Sequence, residues 1–159
     1  MKKVLISTAS VLLLVVVITA IGLAALPQKE ASGTFTTRST TIISEIDDKF
    51  NTVINLRSVI TYTGTLEGTS TLEGTLIVYR DESGSFQGVE TFTGLVNGIP
   101  GTLTFKLEGN SDQYQAIQID NIITSGTGAL ASLRGELSKT GIIKDNGPVG
   151  TYTGQISNQ

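Results

Sequence analysis

The sequence predicts an all-β domain, an eight-stranded antiparallel barrel preceded by one N-terminal apolar helix. Three observations point there. From residue 33 onward, apolar and polar residues alternate with a period of two, and no helical period of any length occurs. The strand-favouring residues Thr, Val, Ile, Tyr and Phe dominate these runs. Glycines recur on the parity that also carries the large apolar side chains: Gly64, Gly68, Gly74, Gly88, Gly94, Gly101, Gly109 and Gly154. Interior glycine weakens a flat strand but lets it bend and coil, and repeated bends in long strands close a sheet on itself and remove its edges.

The chain has 159 residues, room for one ordinary domain. Lys2 and Lys3 precede an uncharged stretch from Val4 to Leu26. A basic end followed by an apolar segment and small residues is the layout of an export signal. The stretch is also long enough to span a bilayer as a helix, for which about 20 residues suffice. Residues 1–26 therefore read as a signal peptide or an N-terminal membrane anchor. Both readings put the rest of the chain outside the cytoplasm, secreted or anchored through residues 4–26. Residues 27–32 read as a polar linker and residues 33–159 as the barrel domain.

The sequence contains no cysteine, so lipidation at a cysteine is excluded and the export route's disulfides go unused. Of the 11 basic residues, Lys2 and Lys3 lie in the leader; nine remain against 14 acidic ones, a net of −5. That balance excludes nucleic acid as a partner, because such binding needs clustered Lys and Arg.

Eight runs are predicted as strands, at about 33–44, 52–68, 72–80, 84–96, 99–109, 113–124, 134–140 and 150–157. Asn97-Gly98 is a strong hairpin signal, since both residues tolerate the positive φ of a type I′ turn. Setting Val96 opposite Ile99 places Gly94 against Gly101, Phe92 against Leu103, Glu90 against Phe105 and Phe86 against Gly109. Every large apolar residue of both strands then shares one face, and a one-residue slip would destroy this. Pro100 falls beside the turn at a position where its missing N–H costs the ladder nothing.

The pentapeptide TLEGT occurs twice, at Thr65–Thr69 and Thr71–Thr75. We read it as architecture. A three-residue loop Thr69-Ser70-Thr71 would join two strands so that each repeat's Leu lies over a Gly, at the expense of setting Glu67 opposite Glu73. Two carboxylates fall well short of the six to eight oxygens that calcium takes, so no metal site is expected.

Chemistry is sparse. The absence of His and Cys removes thiol nucleophiles, Ser-His-Asp triads and zinc sites with nitrogen or sulfur ligands. Gly126, Gly128 and Gly135 read as turn glycines around a wedge at Ala129–Leu133, not as a phosphate loop, since no βαβ unit surrounds them. No cofactor is expected. Glu90 is the one candidate catalytic residue. Its parity points it inward with Phe86 and Phe92, and desolvation would raise its pKa toward general acid–base use. The alternative is structural: a pair with an inward Arg80, or hydrogen bonds to Tyr62 or Tyr114. Tyr62, Tyr114 and Tyr152 are candidates for the inward face. Gln118, Asp120 and Asn121 are candidate polar groups on a strand whose face the period does not settle.

The run Tyr62-x-Gly64-x-Leu66-x-Gly68, then Phe86-x-Gly88-x-Glu90-x-Phe92-x-Gly94, then Gly98-x-x-Gly101 and SGTGALASLRGEL at Ser125–Leu137 carry a resemblance across residues 33–157. They resemble a bacterial family of small proteins of unknown function, grouped with the allene oxide cyclase barrels and more distantly with the dirigent proteins. The resemblance implies an allene oxide cyclase-like eight-stranded barrel with a central cavity, and it implies a homo-oligomer, since the related barrels form trimers.

Three functions compete. The first is a binding module that takes a small lipophilic molecule among Tyr62, Leu66, Leu76, Phe86, Glu90, Phe92, Leu103 and Phe105, because an eight-stranded barrel has room for one small ligand or none. The second is a structural or interaction protein with a packed barrel. The third is a cofactor-free isomerase or cyclase, as the resemblance implies, steering an intermediate by shape and dryness. The residues favour them in that order and leave enzymatic activity open.

Overall fold

The computed structural model describes residues 28–159. The expected N-terminal helix, and with it the signal-or-anchor segment 1–26, lies outside the described residues. Eight strands run in chain order: β1 Lys29–Asp47, β2 Asn51–Gly64, β3 Leu66–Tyr79, β4 Gly84–Val96, β5 Ile99–Ser111, β6 Ala116–Gly126, β7 Leu133–Lys144 and β8 Gly147–Asn158. Each pairs antiparallel with the next, and β8 pairs with β1, so the sheet is a closed meander barrel. A short 3₁₀ turn, Gly128–Leu130, sits between β6 and β7 and inserts Leu130 into the lower end of the barrel, where it is 2% exposed. The first strand starts at Lys29, inside the stretch read as a linker, because Ala31 is already a buried wall residue opposite Gly154.

The β4–β5 hairpin has the register that the Asn-Gly turn and the alternation predict. Val96 pairs with Ile99, Phe92 with Leu103, Glu90 with Phe105 and Phe86 with Gly109. Asn97 at φ 51° and Gly98 at φ 78° supply the two positive values that a type I′ turn needs.

The expected loop at Thr69-Ser70-Thr71 is corrected. Those residues lie in the middle of β3, and the chain reverses earlier, at Gly64-Thr65, where Gly64 has φ 99°. Both copies of TLEGT therefore ride largely on one strand, and the six-residue spacing puts Leu66 and Leu72 on the inner face together. Glu73 faces Arg57 across the ladder and bonds it at 2.7 Å on the outside; Glu67 is opposite Leu95, so the two glutamates never meet.

The repeat has a packing reason. Gly68 pairs with Gly94 and Gly74 with Gly88 across β3 and β4. The Phe92 ring lies over the first pair: a Cβ built on Gly94 would sit 2.9 Å from its Cζ and 2.2 Å from the Glu67 carbonyl oxygen. The Phe86 ring lies over the second pair, 2.5 Å from a Cβ on Gly74. Each repeat thus leaves a side-chain-free saddle into which one ring of β4 folds, and no larger residue fits beneath it.

The interior has two unequal halves. The lower half, at the end bearing Leu130, is filled by Phe35, Ile60, Tyr62, Leu66, Phe92, Leu103, Phe105, Leu137 and Tyr152, all buried. The upper half, toward the β1–β2, β3–β4, β5–β6 and β7–β8 turns, is lined by only partly buried Ile54, Leu56, Leu76 and Phe86 and stays open. β1 is longer than its neighbour β8. Their pairing stops at Thr36 and Val149, and residues 39–47 of β1 pair with β2 alone.

Candidate functional site

Glu90 occupies the middle of β4 with its side chain fully buried. Four groups from four other strands donate to it. Tyr62 of β2 donates its hydroxyl to Oε1 at 2.5 Å, and Ser70 of β3 donates to the same oxygen. Asn121 of β6 donates through Nδ2 to Oε2 at 3.1 Å, and the ammonium of Lys139 of β7 reaches Oε2 at 2.8 Å. Lys139 is 2% exposed, and its Nζ also lies 4.9 Å from the ring centroid of Tyr62 and 5.5 Å from that of Phe35. The electron-rich ring faces accept what remains of the ammonium charge. The Oδ1 of Asn121 is buried with no hydrogen-bond partner among the described residues.

These contacts set the protonation states. Burial pushes the Glu90 carboxyl up, but the Lys139 charge, its hydrogen bond and the hydroxyls of Ser70 and Tyr62 together hold it below the usual carboxylate range. The expectation of an abnormally high Glu90 is therefore corrected: the parity argument saw the burial and not the ammonium. Burial holds Lys139 below an ordinary lysine, against the opposing pull of Glu90. Tyr62 is pushed well up, by burial first and then by the Glu90 charge, so its hydroxyl stays a donor.

Of the partners expected for Glu90, Tyr62 is present, whereas Arg80 is exposed at the end of β3; it donates to the Lys49 carbonyl and stacks its guanidinium 4.9 Å from the Phe50 ring centroid. Tyr114 is 78% exposed in the β5–β6 turn, not inward. Tyr62 and Tyr152 do share the interior, with ring centroids 5.7 Å apart, and Tyr152 accepts the Leu66 N–H through its hydroxyl at 2.8 Å. On β6 the inner face carries Asn121, while Gln118 and Asp120 are exposed. Gly126 ends β6 and Gly128 opens the 3₁₀ turn, as read from the sequence; Gly135 lies within β7 instead.

Above this cluster sits a cavity of about 270 Å³. Its wall is Ile54, Leu56, Leu76, Phe86, Ile117 and Ile143, with Thr40, Ser58, Asn110, Ser111, Lys144, Asp145 and Asn146 as polar points. Its floor is Leu72 and Ile119. Leu72 is the cross-strand neighbour of Glu90, and Ile119 that of Lys139. Two apolar side chains thus separate the ion pair from the open space. Of the eight residues expected to line a cavity, Leu76 and Phe86 do so. Tyr62, Leu66, Glu90, Phe92, Leu103 and Phe105 stand in the packed half below it.

A buried carboxylate with four donors is not poised to exchange protons with a ligand. The cluster ties five strands to one point, and the space that can admit a molecule lies beyond its apolar lid. Among the described residues no group of three or more His, Cys, Asp or Glu could hold a metal ion.

The family model described as "Protein of unknown function (DUF3224)" matches residues 31–153. A crystal structure of a protein with unknown function from the DUF3224 family of Shewanella oneidensis MR-1 superposes with a TM-score of 0.68 at 17% sequence identity. It covers 84% of this chain and 98% of that one. No curated protein matches the chain.

Proposed function

This chain belongs to the DUF3224 family of proteins of unknown function, and from that membership and the geometry above we propose that it is a binding module for one small apolar molecule, held in the upper half of the barrel. The observation that carries this reading is the contrast between the two halves. The middle of the lower half is filled by buried side chains, and the pocket of about 350 Å³ at its outer end is bordered in part by the polar residues Lys29, Asn97, Ser157 and Asn158, whereas the upper half keeps a cavity of about 270 Å³ with a mostly apolar lining. Folding normally collapses such space, because unfilled apolar volume weakens a core. An apolar cavity with a few polar points is the usual form of a small-molecule site.

The role of Glu90 in this reading is to hold the barrel open from below. It anchors β2, β3, β4, β6 and β7 beneath the floor, so that the walls above need not touch to be stable. An isomerase or cyclase of the allene oxide cyclase kind would need a reacting group in the cavity, and Glu90 is separated from it by Leu72 and Ile119. The export layout of Lys2, Lys3 and residues 4–26 supports a site of action outside the cytoplasmic membrane.

The test is fluorescence titration with the neutral probe N-phenyl-1-naphthylamine. Saturable enhancement is expected, and Leu76→Trp, which places an indole in the cavity, abolishes it. No enhancement, or equal enhancement in the filled variant, overturns the reading.

A further inference from the structure

The mouth of the cavity differs in charge from its wall. Each of the four upper turns carries a carboxylate: Asp47 and Asp48, Asp81 and Glu82, Asp112, and Asp145. Glu45 adds a seventh. It pairs with Ile54, a wall residue, and cross-strand partners in a ladder point to the same face, so Glu45 is directed to the cavity side of β1. Asp145 itself borders the cavity. Against these stand Lys49, Arg80 and Lys144, and the Arg80 guanidinium is committed to the Lys49 carbonyl and the Phe50 ring. Neither Glu45 nor Asp145 forms an ion pair among the described residues. Half of the 14 acidic residues of the chain therefore surround one opening, with a net of −4 at that end.

We infer that the molecule taken up by this cavity is a cationic amphiphile, a short apolar tail with an ammonium-type head held at the mouth between Glu45 and Asp145. The inference rests on the cavity reading and adds the sign of the head group. A rim of one dominant sign around a low-dielectric cleft focuses the field and concentrates ions of opposite sign. The tail enters the aliphatic wall, and the head stays in the hydrated rim, where no charge has to be desolvated. An anionic amphiphile of equal length, such as a fatty acid, would seat its carboxylate inside a ring of carboxylates, with Lys144 as its one free counter-charge at the lining.

Three eight-carbon probes separate the possibilities: octyltrimethylammonium, octanol and octanoate, titrated calorimetrically into the full chain in neutral-lipid nanodiscs at low salt, with empty nanodiscs as the blank. The ammonium is expected to bind at least tenfold more tightly than octanoate, with octanol between them. Glu45→Gln combined with Asp145→Asn is expected to reduce that ratio severalfold while leaving octanol unchanged. Octanoate binding as tightly as the ammonium, or a ratio untouched by the double substitution, overturns the inference and leaves the cavity reading standing. Failure of all three probes overturns the cavity reading and the inference with it.

Discussion

Glu90 and Lys139, 49 residues apart on the non-adjacent strands β4 and β7, meet in the barrel interior at 2.8 Å with both side chains at most 2% exposed. Removing one partner of such a pair leaves a buried charge uncompensated, at about 3–5 kcal/mol, whereas replacing both by apolar groups of similar volume is often neutral or better. Glu90→Gln and Lys139→Met are each expected to lower stability by that amount. The double variant leaves no buried charge, and the amide that Glu90→Gln introduces can still bond the neighbours Tyr62, Ser70 and Asn121, so it is expected to recover most of the loss in urea unfolding. Additive losses would show that the two groups act separately.

The same pair fixes an acid limb. Glu90 is held below its ordinary value in the folded state, so its contribution is complete at pH values above about 4.3, the unfolded carboxylate value, and is lost as pH falls toward the lower folded value. Urea midpoints measured from pH 6 down to pH 3 should therefore drop more steeply for the native chain than for the Glu90→Gln/Lys139→Met variant. Parallel curves would assign acid sensitivity to the surface carboxylates instead.

The saddles beneath Phe86 and Phe92 predict that Gly94→Ala is destabilising by about 1–3 kcal/mol, the range for forcing a methyl into a packed core. The added Cβ would lie 2.2 Å from the Glu67 carbonyl oxygen, so backbone as well as ring must yield. A thermal midpoint within one degree of the parent would refute this packing.

Gly98 offers a contrasting case. Nothing lies within 4 Å of a Cβ built there, yet its φ is 78°. Gly98→Ala is expected to cost about 1 kcal/mol through backbone strain alone, with the β4–β5 register retained in an NMR amide pattern. A loss as large as that of Gly94→Ala would mean that the turn also makes contacts.

The β4–β5 hairpin was legible because a specific turn signal and a clean alternation agreed on one register. The β2–β3 reversal was not. Gly64-Thr65 lacks a hairpin signature, whereas Thr69-Ser70-Thr71 has the composition of a loop and is kept in a strand by its neighbours on both sides. Glu90 could be placed inward from parity and Tyr62 named as a hydrogen-bonding neighbour, but its ion-pair partner could not. The signal existed: Leu133, Leu137, Lys139 and Ile143 share one parity, and Lys139 is the charged residue among them. Lysine is almost always a surface residue, however, and nothing local in sequence joins β7 to β4. The cavity boundary was equally invisible, because which inward residues pack and which stand apart depends on how strands of unequal length close.

That inequality has a dynamic consequence. Past Thr36 and Val149 the β1–β8 ladder gives way to a lateral seam that only the Thr37 and Thr40 hydroxyls bridge, to the carbonyls of Pro148 and Asn146 at 2.7 and 2.8 Å, and beyond Thr40 the outer backbone edge of β1 as far as Asp47 has no strand beside it. Amide protons there should exchange with solvent well before those of Phe92 or Leu103, and a guest could pass through the side wall by a small outward swing of the β1–β2 arm, without loosening the ion pair at the base.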